Sequence, residues 1–218
     1  PGATAVSLQR EAAIGYYESI ARTWERAAFI RARPIAGDLE MGASFLADIQ
    51  PFIWRRTLDY TVMDDMKMML RRPAVGLGWE GYNLKTGPNG IRSIEFLTHV
   101  LQLVGGGRAP ALRAGSTLPA LRALAAEGWI TPDQCERLGA LYLALRRVEH
   151  RLQMLGDAQT HALPRSMDGI DAAARFMGHA NAEAFLAALE HVLGEIAANT
   201  SHQLFEETTD RGGSGGDP

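Results

Sequence analysis

Cysteine is almost missing from this sequence: Cys135 is the single one among 218 residues. One thiol cannot close an internal disulfide, so the fold does not depend on oxidation, and the default location is a reducing compartment, the cytoplasm. Long apolar runs are missing too. Nothing approaches the roughly 18 consecutive apolar residues of a membrane span, and the opening Pro-Gly-Ala-Thr has no basic region followed by an apolar stretch, as a signal peptide would. Neither charge sign is in excess, with 22 Lys and Arg against 25 Asp and Glu. A dedicated nucleic-acid binder needs a concentrated basic footprint, so that class is excluded. The six histidines never stand in HxxxH or HExxH spacing, which together with the solitary thiol leaves no zinc pattern. Outside the Gly-Gly-Ser-Gly-Gly of the polar tail no Gly-x-Ser-x-Gly elbow is present, and with it goes the α/β-hydrolase class. What remains is an ordinary globular composition, 46% apolar and 22% charged, sufficient for a packed core. The sequence starts without Met and closes on Gly-Gly-Ser-Gly-Gly-Asp-Pro, which reads as a piece of a longer polypeptide.

Apolar spacing sets the architecture. Residues 9–33 place Ile14, Tyr17, Ile20, Trp24, Ala27, Ala28 and Ile30 near the helical period, which predicts one long amphipathic helix stopped by Pro34. A second helix is expected over 39–54, broken near Pro51, and a third over 58–72, stopped by Pro73. Glycines at 76, 78, 81, 87 and 90 with Pro88 then exclude a helix. They leave a non-helical elbow over 73–90, in which Tyr82-Asn83-Leu84-Lys85 is expected to form a short strand. Helices resume over 91–104 and 117–127. The clearest period follows Thr131-Pro132, a cap residue with Pro at the first helical position. Leu138, Leu141, Leu145, Val148, Leu152 and Leu155 alternate at three and four residues, the seam of a helix packed in a bundle and running to about Asp157. Two further helices are expected over 170–177 and 182–206. The fold class is therefore mainly all-α: helices over 1–72, the glycine-rich elbow at 73–90, a helical bundle over 91–207 and a flexible tail over 208–218.

Gly76-Leu77-Gly78-Trp79-Glu80-Gly81 spells the dinucleotide fingerprint, but a helix and Arg72-Pro73 precede it where a strand is required, so no such site is assigned. Lys85-Thr86 has the ending of a phosphate loop without the glycine before it, and a Walker site is rejected. Two cationic clusters stand out. The elbow leads Lys85 into a helix start that carries Arg92. Exposed backbone N–H groups, the helix dipole and two cations are the ingredients of an anion site; the simpler reading is a helix capped by Asn89 with solvated charges. Upstream, Arg22, Arg26, Arg31 and Arg33 crowd beside Glu25 and Asp38. Such clusters are commonly solvated faces, while a bound polyanion is the functional reading, since like charges this close repel unless something offsets them. A third polar cluster joins Arg146, Arg147, Glu149, His150 and Arg151 to Asp157, Gln159, Thr160 and His161. It is expected to hold helices in register by buried hydrogen bonds rather than to catalyse.

Four ordered stretches belong together: Tyr16-Tyr17-Glu18 with Thr23-Trp24-Glu25-Arg26 and its continuation to Asp38, then Asn83 to Phe96, then Leu145 to Met154, then Gln159-Thr160-His161-Ala162-Leu163-Pro164. Over about residues 8–205 they resemble the bacterial glutamine synthetase adenylyltransferase and adenylyl-removing enzyme, and its first, adenylyl-removing half more than its second. The resemblance implies the helical part of a nucleotidyltransferase-family enzyme of nitrogen regulation. In that family one half removes AMP from a tyrosine of glutamine synthetase by attack of phosphate, giving ADP, and the other half installs AMP from ATP. Magnesium and ATP, ADP or phosphate are implied for the whole enzyme, with glutamine synthetase and the PII signal protein as partners.

The family pattern Lys-x-Gly-x-Gly-Gly-Ile-Arg-Glu-Ile-Glu-Phe is followed from Lys85 to Phe96, with departures at Asn89 and Ser93. By the same resemblance, the metal-binding carboxylates lie on a palm ahead of the Tyr-Tyr-Glu helix and outside these 218 residues, which alone are then expected to be catalytically silent. Charge clustering and motif position together give Arg26, Arg31 and Arg33 as an electropositive wall, Lys85 and Arg92 as phosphate ligands, and Glu25 and Asp38 as carboxylates that orient those cations. No metal ligand is assigned. The cations are expected to converge on one polyphosphate pocket. The alternative, from a different class, is a free-standing helical protein-binding module without catalysis.

Overall fold

The computed structural model describes residues 8–21, 23–56 and 78–205, with the backbone alone for 23, 24 and 201–205. The helix expected over 58–72, the start of the elbow and the tail from 208 lie outside the described residues. Within them the fold is all-α. The helices are α1 (Arg10–Ser19), α2 (Thr23–Phe29), α3 (Leu39–Asp48), α4 (Gln50–Ile53), α5 (Ile91–Gly105), α6 (Thr117–Ala126), α7 (Pro132–Gly156), α8 (Met167–Phe176) and α9 (Ala182–Phe205), with a single 3₁₀ turn at Pro110–Leu112. None is long and apolar enough to cross a membrane.

The one long helix expected over 9–33 is two helices. In a continuous helix Tyr17 and Phe29 would lie about 18 Å apart along the axis, yet their rings meet edge to face at 4.8 Å. The chain breaks after Ser19, where the N–H groups of Ile20 and Ala21 both donate to the Tyr16 carbonyl. That break lets Phe29, Phe45 and Phe52 close around Tyr17. Long-range aromatic packing thus overrides a local period that would have continued. Pro34 is not the stop: α2 already ends at Phe29, and the residues after it turn Arg31 toward α5. The second expected helix divides at Ile49 into α3 and the one-turn α4, with Pro51 in the first turn of α4.

The bundle is built from α5, α6, α7 and α9, with α8 packed on α9. Its interior is aliphatic: Ile91, Ile94, Leu97, Leu112, Leu124, Leu138, Leu145, Ile170 and Ile196 are all completely buried. The α7 seam starts at a full capping box, in which the Thr131 hydroxyl accepts from Gln134 N–H and the Gln134 side chain accepts from Thr131 N–H. This arrangement satisfies two N–H groups left over at a helix start. The α7 helix ends at Asp157 in the left-handed conformation. At 25 residues it spans about 37 Å and forms the axis on which the elbow rests.

Candidate functional site

The elbow does not contain the short strand expected over 82–85. Asn83 makes a single antiparallel bridge, to Ala162, and the chain then turns back because the Asn83 side chain accepts from the N–H groups of Lys85 and Thr86, at 3.0 and 2.8 Å. An Asx side chain that bonds its own downstream backbone replaces the ladder. The turn is closed twice more, by Gly87 N–H on the Asn83 carbonyl at 2.7 Å and Ile91 N–H on the Leu84 carbonyl at 2.8 Å. The Tyr82 hydroxyl donates to the Pro88 carbonyl at 2.5 Å, and burial pushes this phenol up to about 12. No side chain fits at two points: a Cβ on Gly87 would lie 2.4 Å from the Asn83 carbonyl oxygen, and one on Gly90 would lie 2.4 Å from that of Leu84.

The elbow is docked on the segment that follows α7. Leu84 N–H donates to His161 O and Leu163 N–H to Tyr82 O, both at 2.8 Å, and Gly81 N–H reaches Pro164 O at 3.1 Å. Beneath them Glu149, on α7, is completely buried. Its Oε1 accepts from His161 Nδ1 at 2.5 Å, and Arg146 Nη1 lies 2.6 Å from its Oε2 as an ion pair that is out of line for a hydrogen bond. Glu149 falls four residues after Leu145 and three before Leu152, on the apolar seam itself. An acid at a core position needs partners or it costs several kcal/mol, and here the partners fix the 159–164 segment to α7. The chain thereby brings three of the four motif stretches, 83–96, 145–154 and 159–164, to one place.

The cations named from the sequence fall into two groups. Lys85 and Arg92 flank the elbow, tied by Arg92 N–H on the Lys85 carbonyl at 3.0 Å, and neither has a carboxylate partner among the described residues. The N–H groups of Lys85, Thr86, Gly87, Gly90, Ile91 and Arg92 already have acceptors within the turn. Positive charge at the elbow therefore comes from side chains and not from free backbone donors. Arg31 reaches the same helix about one turn further on. Its Nη1 donates to Glu95 Oε1 at 3.1 Å, its Nε to His99 Nε2 at 3.1 Å and its Nη2 to Thr117 Oγ1 at 2.5 Å. Burial first, then Arg31, lowers His99 to about 4 against the opposing pull of Glu95, so its ring is neutral at pH 7 and free to accept.

Arg26 faces elsewhere. It is 95% buried, at 5% exposure, with its guanidinium 5.1 Å from the centre of the Phe52 ring, on the side of the molecule that leads to Arg55. Arg33 is exposed. The carboxylates have other partners: Glu25 Oε1 accepts from the Tyr16 hydroxyl at 2.9 Å, and Asp38 caps α3 by accepting from Met41 N–H at 2.9 Å. Among the described residues neither carboxylate pairs with an arginine. Asp38 also borders a groove of about 520 Å³ between α1 and α3, lined by Leu8, Pro34, Met41 and Phe45.

Residues 71–208 match the family model described as GlnD PII-uridylyltransferase, and residues 1–48 that described as glutamate-ammonia ligase adenylyltransferase. A bifunctional glutamine synthetase adenylyltransferase/adenylyl-removing enzyme of Xanthobacter autotrophicus is 48% identical over 212 residues, 95% of this chain and 21% of that protein. Enzymes of the same description from Rhodopseudomonas palustris and Mesorhizobium japonicum are 46% and 44% identical, each over 94% of this chain and 21% of their own. The chain belongs to the glutamine synthetase adenylyltransferase/adenylyl-removing enzyme family. It spans about a fifth of the length of these relatives, 21%.

Family membership gives meaning to the two departures in the elbow motif. Asn89 stands where the family pattern has glycine, and its φ is +59°, the left-handed region that asparagine tolerates better than other residues with a Cβ. Asn89 thus takes a backbone conformation that glycine adopts without cost. Ser93 replaces an acid at the third position of α5, where a glutamate would favour the helix dipole. The second acid of the pattern, Glu95, is present and carries Arg31. Glu95, His99 and the Glu149–His161 pair are the residues that the sequence reading did not single out as a site. A Glu and a His four apart on α5, and an acid on the α7 seam, were the available signals. Among the described residues no group of three or more His, Cys, Asp or Glu comes together.

Proposed function

We propose that this chain is the helical part of an enzyme that adds AMP to, or removes it from, a tyrosine of glutamine synthetase in the control of nitrogen metabolism in the cytoplasm. The observation that carries the reading is the meeting of the elbow, α7 and the 159–164 segment around Glu149, because these are the stretches by which the chain resembles the family. On this reading the elbow is a rigid turn that presents Lys85 and Arg92 to the phosphate groups of ATP, ADP or inorganic phosphate. Two unpaired cations beside a turn of fixed shape suit a phosphoryl oxygen, since charge-assisted bonds to it are strong and cost no rearrangement. Arg31 belongs to the support of that turn: its three bonds hold the N-terminal helices against α5 and the start of α6. Glutamine synthetase is the substrate protein on this reading, and the PII signal protein is the regulator.

The test uses the longer enzyme that carries this segment. Arg92→Gln and Lys85→Gln are each expected to reduce the activity of the half that carries this segment, phosphate-dependent AMP release on the resemblance to the adenylyl-removing half, by about tenfold or more, with a raised KM for phosphate. Unchanged rates and KM values in both variants would overturn the assignment of these two cations. The 218-residue chain alone, given ATP, magnesium and glutamine synthetase, is expected to transfer no AMP.

A further inference from the structure

Two charged side chains are buried among the described residues, Arg26 and Glu149. Glu149 has Arg146 and His161. Among the described residues Arg26 has no such partner: its Nε is buried without an acceptor, and no described carboxylate pairs with its guanidinium. The Phe52 face, 5.1 Å from the guanidinium, gives only partial compensation for the lost hydration. The neighbouring charge makes matters worse, because burial and then Arg55 both push Arg26 below its ordinary pKa. A fixed guanidinium with spare donors beside a second cation is the arrangement that selects an oxyanion.

The surroundings agree. Arg55 follows the Phe52–Trp54 segment, and its carbonyl lies so close to Gly107 that a Cβ there would be 2.0 Å from it. This contact puts Arg55 at the C-terminal end of α5, about 20 Å from the elbow at the other end of the 15-residue helix. Arg113 lies over the Trp54 ring at 5.5 Å and donates to Gly106 O at 2.7 Å, and Arg56 and Arg108 are exposed beside them in sequence. None of these arginines has an ion-pair partner among the described residues, although acids outnumber bases in the chain as a whole. We propose that Arg26 and Arg55, with Arg113 on the rim, form a second oxyanion site that takes a phosphate-class dianion at the end of α5 remote from the elbow. This site does not rest on the transferase reading, which uses Lys85 and Arg92.

The test is a titration of the full 218-residue chain with inorganic phosphate at constant ionic strength, followed through the arginine Nε–H resonances, with ADP titrated in parallel. The Arg26 Nε–H signal is expected to shift and saturate in the millimolar range with phosphate or with ADP, and the tighter of the two names the source of the phosphoryl group. Arg55→Gln, at an exposed position, is expected to weaken that response by about tenfold. Arg26→Met, which keeps the packing on Phe52, is expected to abolish the phosphate-induced rise in Tm, and Lys85→Gln to leave the Arg26 response intact. Where Arg26→Met fails to fold, Arg55→Gln alone decides. The proposal is overturned if neither ligand moves Arg26, if chloride alone reproduces the shift, or if Arg55→Gln leaves it undiminished. A response at Arg26 lost only in Lys85→Gln would also overturn it, and would place phosphate at the elbow in favour of the transferase reading.

Discussion

The helices before residue 57 and those after residue 90 are held together by different means. Neither α1 nor α3 contributes a buried residue, and their packing depends on a few rings around Tyr17. By contrast, α5 alone buries nine residues, and the bundle is close-packed with leucine and isoleucine. A region with little core tolerates charge, and three of the five cations named from the sequence, Arg26, Arg31 and Arg33, lie there. A region with a dense core admits charge only as a closed set, as at Glu149. The bundle is fixed by its aliphatic interior, whereas α1 and α3 keep their surfaces at least partly exposed. Arg31 is the tie between them, since its guanidinium comes from the first half and all three of its partners from the second.

The contrast is broken most severely at Glu149. Replacing it with alanine strands Arg146 and His161 and is expected to lower stability by about 4 kcal/mol. In denaturant melts the loss should appear with reduced hydrogen-exchange protection at Leu84 and Leu163. A loss below about 1 kcal/mol with protection intact would mean that the elbow is held by something else.

Acid should open the tie between the halves next. His99 titrates near 4 in the folded state and near 6.5 unfolded, so between these values the unfolded chain binds the extra proton. Stability is then complete above about pH 6.5 and falls as the pH drops toward 4, by about 3 kcal/mol in all. His99→Gln should flatten that part of the pH profile, and a profile that keeps its slope in the variant would assign the effect to another group.

Arg31→Met removes three bonds at the same tie and should cost about 2 kcal/mol. Its first sign is expected in the rings around Tyr17, visible in near-ultraviolet circular dichroism, before the far-ultraviolet helix signal changes. Simultaneous loss of both signals would show that the two halves unfold as one unit. The smallest effect is expected at the cap of α3: Asp38→Ala should cost about 1 kcal/mol and leave the bundle's exchange rates unchanged. If bundle amides also loosen, α3 is coupled to the bundle more closely than its exposed surface indicates.

The bundle was the legible half. Thr131-Pro132 and the three-four spacing after it announce both the start and the face of α7, because a capping box and an aliphatic seam are local signals. The break between α1 and α2 was not legible, since it comes from rings that meet across long stretches of chain. The described part of the elbow, 78–90, was read correctly as non-helical but wrongly as containing a strand. Asn83 has the composition of either, and only its side-chain bonds to Lys85 and Thr86 decide for a turn. As for the site, the cations were visible as residue types, but their grouping was not. Arg26 and Arg31 are five apart in sequence and share no partner: Arg26 lies on the Phe52 ring, while Arg31, beyond the end of α2, bonds Glu95, His99 and Thr117.

The elbow holds its shape through its own bonds, with glycines at two points where nothing larger fits and asparagine at a third. A guest arriving at Lys85 and Arg92 would therefore find the loop already in its final form. Capture there should be fast and nearly free of a heat-capacity signature, because no chain has to condense around the visitor. Discrimination among guests would then come from size and charge spacing, with the turn acting as a gauge and not as a clasp.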